Sequence, residues 1–163
     1  MRLIMSNDIA AIKQTLASYC HRVDHGTAEQ VADLFAHDAI LSPEYDGEYE
    51  VYGRDGIRGW YAFYNQTFAA GVKNLKHLIH SMMIDVDGDA ATSVCYLTAY
   101  FISKEDNAAY QAFGTYRDTF VREGERWLFQ TRRIEVEYVT QLGEVIDRIQ
   151  PMGFPGAGDE NAV

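Results

Sequence analysis

Apolar residues in the first third of the chain recur at the three- and four-residue spacing of α-helices. Ser6 and Asn7 can cap a first helix that runs to a stop at Gly26. Thr27 can cap a second, short helix that pairs with the first. The apolar positions of this second helix are Val31, Leu34 and Phe35.

A third helix is predicted after Gly53, ending at Gly71. Its apolar positions lie on one side and are Ile57, Trp60, Tyr61, Tyr64 and Phe68. The residues before it, 39–53, mix alternating apolar positions with proline and glycine, so they predict a short strand and a loop.

The pattern changes to strand-like alternation after Asn74. Four strands are predicted, at residues 75–86, 91–102, 110–121 and 126–139. Asp87-Gly88 is a strong two-residue hairpin signal, and Glu123-Gly124 provides a second turn. Three helices followed by an antiparallel meander predict an α+β fold, with the helices packed on one face of a curved sheet. Such a curved sheet encloses a cavity against the helices.

Length and composition fit this picture. A chain of 163 residues favours one domain, which we place at residues 1–140, followed by a glycine-rich arm or flexible tail at residues 141–163. Hydrophobic residues make up 47% of the chain and include 11 tyrosines, which suit the wall of a small-molecule cavity.

The net charge of -10 argues against a nucleic-acid partner, because phosphate backbones are bound by clustered lysine and arginine. No apolar run is long enough to span a membrane, and the N-terminus lacks the pattern of a signal peptide. We therefore expect a cytoplasmic protein without a membrane partner. Cys20 and Cys95 fall within predicted regular elements, so they are interpreted as free thiols.

Asp24 is the first candidate for chemistry, because it closes the first helix five residues after Tyr19. The carboxyl-terminal end of a helix is negative, so an acid there indicates a partner. A solvated carboxylate beside His21 and His25 is the competing interpretation. The spacing of these two histidines can bind zinc, but the sequence indicates no third ligand, so no metal site is predicted.

His77 and His80 lie three apart on a predicted strand, so they point to opposite faces and at most one faces the cavity. Strand parity groups His77 with Ile79, Ser81 and Met83. An inward histidine beside a buried carboxylate makes a general base and needs no cofactor.

Arg132 and Arg133 are adjacent on the last strand, so parity sends one of them inward. A buried guanidinium needs an anion or carbonyls around it, and Glu135 and Glu137 are the candidate partners.

Four runs of the sequence together resemble the SnoaL-like members of the nuclear-transport-factor-2-like superfamily. They are IKQTLASYCHRVDHGTAEQVADLFAHDAIL, VYGRDGIRGWY, KHLIHSMMIDVDGDAATSVCYLTAYF and GTYRDTFVREGERWLFQTRRI. The resemblance covers residues 6–138 and implies a cone-shaped barrel with a deep apolar pocket, frequently dimeric through its sheet. Its dehydratase and dehydrochlorinase branch uses an aspartate and histidine dyad, whose positions Asp24 and His77 match. Tyr19 and Arg132 match a tyrosine and a late-strand arginine of that branch, whereas Ser81 stands where relatives often have asparagine.

The resemblance implies a cofactor-independent lyase that acts on a hydrophobic cyclic small molecule and assembles as a homodimer or higher homo-oligomer. Its predicted catalytic residues are Asp24, His77, Tyr19 and Arg132. Its predicted substrate-binding residues are Trp60, Tyr64, Phe113, Tyr96 and Ser81. One alternative is an isomerase like the ketosteroid isomerases, or an enzyme like the polyketide cyclases. Another is a non-catalytic ligand-binding protein, or a protein like the small subunits of ring-hydroxylating dioxygenases. The non-catalytic alternative predicts that Asp24 and His77 do not meet, or that Phe113 and Trp60 fill the pocket.

Overall fold

The computed structural model of the protein describes residues 2–145, with side chains from residue 7 onward. The three α-helices are α1 (Arg2–His25), α2 (Ala28–Ala32) and α3 (Gly53–Thr67). The six strands are β1 (Phe35–Ser42), β2 (Val51–Tyr52), β3 (Val72–Asp87), β4 (Ala90–Ser103), β5 (Ala108–Glu123) and β6 (Arg126–Glu144). Short 3-10 helices occupy Glu44–Asp46 and Ala69–Gly71. The predicted α+β class is confirmed.

The strands form one open sheet in the order β2-β1-β6-β5-β4-β3. Strands β3 to β6 are the predicted antiparallel meander, and β2 extends the other edge antiparallel to β1. β1 pairs parallel with β6, and this long-range pairing was not predicted. Irregularities within the ladders β3–β4 and β5–β6 bend the sheet, and the helices pack in its concave face.

Helix α1 crosses the concave face of the sheet and so positions the candidate residues Tyr19 and Asp24. Among its described side chains, the buried apolar ones are Ile12, Leu16, Tyr19, Cys20 and Val23. Near its start, Asp8 accepts hydrogen bonds from Trp127 Nε1 at 3.2 Å and from Arg122 Nη1 at 3.1 Å. Because α1 also packs against β3, its last turn lies beside that strand.

Several predicted boundaries shift. The Thr27 cap is confirmed as a capping box with Gln30, but α2 ends at Ala32. Leu34 and Phe35 do not continue the helix, because Leu34 accepts a β6 hydrogen bond and Phe35 begins the strand paired with β6. α1 begins at Arg2 rather than after Ser6, and α3 ends at Thr67, before a 3-10 turn that reaches Gly71.

Strand β6 runs to Glu144, four residues into the tail predicted to start at 141. The rest of the predicted arm, residues 146–163, lies outside the described residues.

A bulge at Ser81 reverses the side-chain alternation of β3. Ser81 has a φ of 53°, and the β3–β4 register shifts between His80 and Met83. Before the bulge His77 and Ile79 face the concave side, whereas Met83 beyond it is 75% exposed. The prediction that Ser81 and Met83 share the face of His77 is therefore wrong, because an inserted residue flips the parity.

The opposite, convex face of the sheet carries exposed apolar side chains. They include Leu78, Met83, Tyr96, Tyr100 and Tyr138. The homodimer or higher homo-oligomer stays a prediction.

None of the helices between residues 2 and 145 has the length and apolar character of a membrane span.

Gly114 pairs with Val136 beside an irregularity in the β5–β6 ladder. A Cβ atom at this position would lie 2.0 Å from the Glu135 carbonyl oxygen, a contact that only backbone movement can relieve. We expect Gly114→Ala to lower the free energy of unfolding by about 1–3 kcal/mol in urea denaturation, as overpacking of a core does. The matched control is Gly59→Ala on α3, where nothing lies within 4 Å. A helical glycine replaced by alanine should gain about 0.5–1 kcal/mol, so equal effects at both sites would contradict this account.

Candidate active site

Asp24 and His77 form a hydrogen-bonded pair between the last turn of α1 and β3. His77 Nδ1 lies 2.6 Å from Asp24 Oδ1, and the His77 backbone N–H donates to both Asp24 oxygens at 3.2 and 3.0 Å. The Asp24 side chain is 5% exposed and the His77 side chain is 10% exposed. These donors compensate the unfavourable position of an acid at a helix end. They also hold the carboxylate in one orientation.

The contact with Asp24 determines which nitrogen of the His77 ring can act as a base. An ionised carboxylate only accepts hydrogen bonds, so Nδ1 is the donor and Nε2 of the neutral ring is the basic nitrogen. His77 Nε2 has no hydrogen-bond partner among the described residues. A histidine held in this way can accept a proton at Nε2, while the carboxylate stabilises the imidazolium that forms.

His77 lies on the wall of a cavity between the concave face of the sheet, α1 and α3. The cavity has a volume of about 130 Å³ and an apolar lining with Val23, Leu75, Leu97, Ile134 and Val136. Its polar contributors are His77, Trp60 and five tyrosines, namely Tyr19, Tyr45, Tyr61, Tyr64 and Tyr116. Tyr45 and Val139 line it while being 45% and 56% exposed, so they mark its mouth. The predicted pocket residues Trp60 and Tyr64 both lie in this wall.

Tyr19 and Tyr61 are joined by a hydrogen bond between their hydroxyl oxygens, 2.5 Å apart. Burial raises the pKa of Tyr19. Burial, reinforced by Tyr19, raises the pKa of Tyr61 well above its ordinary value. Both hydroxyls are therefore protonated at neutral pH. The helical pattern predicts Tyr61 only as an apolar position. The hydroxyl group of this residue is the one feature of the sequence that could have indicated the contact with Tyr19.

Arg132 faces inward, as parity predicted for one of the two arginines, but it does not line the cavity. Its Nε and Nη2 donate to Asp118 at 2.9 and 3.0 Å, and both side chains are fully buried. Its Cζ lies 3.8 Å from the Tyr19 ring centroid and 4.0 Å from that of Tyr116. Burial is the largest influence and acts to lower the pKa of Arg132, but Asp118, Tyr19 and Tyr116 together raise it above its ordinary value, so the guanidinium stays charged. Arg132 therefore lies behind the tyrosine wall.

The predicted partners of the inward arginine were wrong. Glu135 binds Arg117, Glu137 accepts a hydrogen bond from Thr115, and the buried carboxylate is that of Asp118.

Three predicted substrate-binding residues lie away from the cavity. Tyr96 and Phe113 are on the convex face of the sheet, where they contact each other and the His80 ring. Ser81 is exposed in the bulge. Tyr96 and Phe113 occupy strand positions of outward parity, and the bulge removes Ser81 from the inward face. On the same convex face, a hydrogen bond of 3.1 Å joins His80 Nε2 and the Thr98 hydroxyl.

The histidine pair of α1 does not develop into a ligand set. His25 Nε2 lies 2.5 Å from Lys76 Nζ, and His21 is exposed. Within the part of the chain that the structure describes, no three histidine, cysteine or acidic side chains form a group that could hold a metal ion. Cofactor independence stays a prediction.

Residues 5–133 match the profile of the SnoaL-like domain, which is most of the chain. The chain belongs to the SnoaL-like domain family. No curated protein sequence matches this SnoaL-like chain.

Solved structures share the SnoaL-like fold. A candidate scytalone dehydratase from Novosphingobium aromaticivorans is 21% identical, with a TM-score of 0.75 over 92% of this chain and 100% of that one. The hexachlorocyclohexane dehydrochlorinase LinA-type3 from Novosphingobium barchaimii is 18% identical, with a TM-score of 0.76 over 93% and 100% of the two chains. Aln2 from a Streptomyces species is 21% identical, with a TM-score of 0.69 over 79% and 90%. At these identities the likeness shows the fold alone.

Proposed function

We propose that this SnoaL-like protein is a lyase that eliminates a leaving group from a hydrophobic cyclic small molecule without a cofactor. The observation that carries the proposal is the 2.6 Å contact between Asp24 and a His77 ring that lines the apolar cavity. The names of two structural neighbours, a dehydratase and a dehydrochlorinase, support elimination as the reaction class.

The reaction begins when His77 Nε2 removes a proton from a ring carbon next to an activating group, such as a carbonyl. The electron pair of the broken C–H bond forms a C=C bond, and the bond to the leaving group breaks at the neighbouring carbon. The leaving group departs as halide, or as hydroxide that takes the proton from the His77 imidazolium and becomes water. Asp24 stabilises the imidazolium until its proton is passed on, and Tyr19 holds the carbonyl or the leaving hydroxyl.

The lining of the cavity indicates a neutral substrate of modest size. The described residues that line it include no lysine, arginine, aspartate or glutamate. An apolar cavity of about 150 Å³ accommodates one benzene ring, so 130 Å³ has room for about one six-membered ring with the side chains in their present positions. A charged substituent would therefore have to remain outside, near Tyr45.

Incubation with a panel of single-ring cyclic ketols, halogenated rings and unsaturated ketones tests this function. We expect at least one ketol or halide to give a product that is lighter by water or hydrogen halide, measured by mass spectrometry. The same panel without protein gives the spontaneous rate. A product of unchanged mass would instead support the isomerase alternative. Binding of panel members without any product would support the non-catalytic alternative and contradict the lyase.

A further inference from the structure

Tyr45 lies at the mouth of the cavity and contacts its wall with the phenol ring. It belongs to the 3-10 helix Glu44–Asp46, between β1 and β2, and its side chain both lines the cavity and is 45% exposed. The ring packs edge-on against Trp60, with centroids 6.4 Å apart and an interplanar angle of 79°. The Tyr45 hydroxyl makes no hydrogen bond to any described residue. Tyr45 therefore acts on the cavity through the space that its ring fills.

The residues on both sides of this tyrosine are fastened to other elements, so its ring is held over the mouth. On one side, Nε1 of Trp60 on α3 donates to the Tyr49 hydroxyl at 2.8 Å, and that hydroxyl donates to the Asp46 carboxylate. On the other side, Glu44 pairs with Arg133 of β6 at 3.0 Å. The ion pair is exposed and contributes little, so the hydrogen-bond chain from Trp60 to Asp46 is the main brace.

The wall that the Tyr45 ring contacts suits a further ring of a ligand. Trp60 stacks on Tyr64, with centroids 5.7 Å apart and an interplanar angle of 21°, and both side chains line the cavity. The cavity now has about 130 Å³, which is room for about one six-membered ring. Loss of the Tyr45 ring would join the space of a second ring to this volume. The enlarged cavity would then accept two fused rings.

We propose that Tyr45 determines the size of the substrate, because its ring restricts the cavity to single-ring molecules, with Tyr49 as a positioning residue that holds Tyr45 in place. This deepens the proposed function, on which it rests for the class of ligand, by naming the residue that limits the number of rings. The contact between Asp24 and His77 is separate from this limit. Replacing Tyr45 therefore changes which molecules enter the cavity and leaves the base intact.

The test compares two neutral ketones, cyclohexanone with one six-membered ring and 2-decalone with two fused rings. Their dissociation constants are measured by titration calorimetry. The unmodified protein should gain no affinity from the second ring. In Tyr45→Ala, 2-decalone should bind roughly 10–100-fold more tightly than in the unmodified protein, because the additional methylene groups of its second ring leave water. The affinity for cyclohexanone should change little, since one ring already fits.

Three further variants localise the effect. Tyr45→Phe keeps the ring and should keep the size limit, because the lost hydroxyl has no hydrogen-bond partner among the described residues. Tyr49→Phe removes the hydrogen bonds to Trp60 and Asp46 without changing the lining of the cavity, so it should show part of the gain for 2-decalone. Tyr52→Ala is the matched control, because Tyr52 is 66% exposed and does not line the cavity. It should leave both affinities unchanged.

Thermal unfolding checks the fold of each variant, and Tyr49→Phe decides by the same comparison if Tyr45→Ala does not fold. The proposal is overturned if folded Tyr45→Ala binds 2-decalone no more tightly than the unmodified protein does, or if Tyr45→Phe or Tyr52→Ala gains as much as Tyr45→Ala. It is also overturned if the unmodified protein already prefers 2-decalone, or if no variant binds either ketone. Failure of the proposed function has a different signature, namely the expected gain for 2-decalone in Tyr45→Ala without an elimination product from any panel member.

Discussion

Replacing His77 with glutamine is expected to lower turnover by about 10²–10⁴-fold, the usual contribution of a positioned general base. Glutamine is close to histidine in size and can still donate to Asp24, but its amide does not accept a proton at neutral pH. The His77 backbone N–H, which holds the Asp24 carboxylate at 3.0–3.2 Å, is retained in the variant. The measurement is kcat on the elimination substrate found in the panel, with thermal unfolding as the check on the fold.

His80→Gln is the matched control for this change. His80 lies on the same strand, but its hydrogen bond to Thr98 is on the convex face, away from the cavity. We expect His80→Gln to keep the turnover of the unmodified protein. Full turnover by His77→Gln would contradict the base mechanism. An equal loss of turnover in both variants would indicate that the substitutions damage β3.

The sequence predicted the elements whose signals are local. The Asp87-Gly88 and Glu123-Gly124 turns join strands that pair with their chain neighbours, so the meander follows from short-range information. The parallel pairing of Phe35 with Phe129 brings together distant segments, and no local signal marks it. The apolar spacing of Phe35 fits a helix and a strand equally, and the local pattern alone predicts a helix there.

The residues of the candidate site also divide into those that the sequence predicted and those that it did not. The resemblance supplied Asp24 and His77, and the structure brings them together. Whether a side chain faces the cavity depends on bulges, which are single-residue insertions with weak sequence signals. The bulge at Ser81 removes that residue from the site. A second irregularity concerns Arg132: pairing counted from the Glu123-Arg126 turn would place Asp118 opposite Thr131, but the shift between Thr119 and Phe120 places it opposite Arg132.

Replacing Arg132 alone with methionine should have the largest effect on stability. The change leaves the Asp118 carboxylate fully buried without its partner, and breaking a buried pair in this way costs about 3–5 kcal/mol. We expect urea denaturation to show a loss of this size. In the double variant Arg132→Met/Asp118→Leu both charges are absent, and apolar side chains of similar volume fill the space. Such replacements are often neutral or stabilising, so most of the lost free energy should return.

The double variant also separates the two roles of the ion pair. If Arg132 only filled space behind Tyr19 and Tyr116, restoring stability would restore turnover as well. If the charge of Arg132 makes the Tyr19 hydroxyl a stronger donor, the double variant should be as stable as the unmodified protein but lose turnover. Arg132→Lys keeps a positive charge beside Asp118 and should keep part of the turnover. A double variant as stable and as active as the unmodified protein would show that the pair is structural, whereas one that stays unstable would contradict the cost assigned to the unpaired carboxylate.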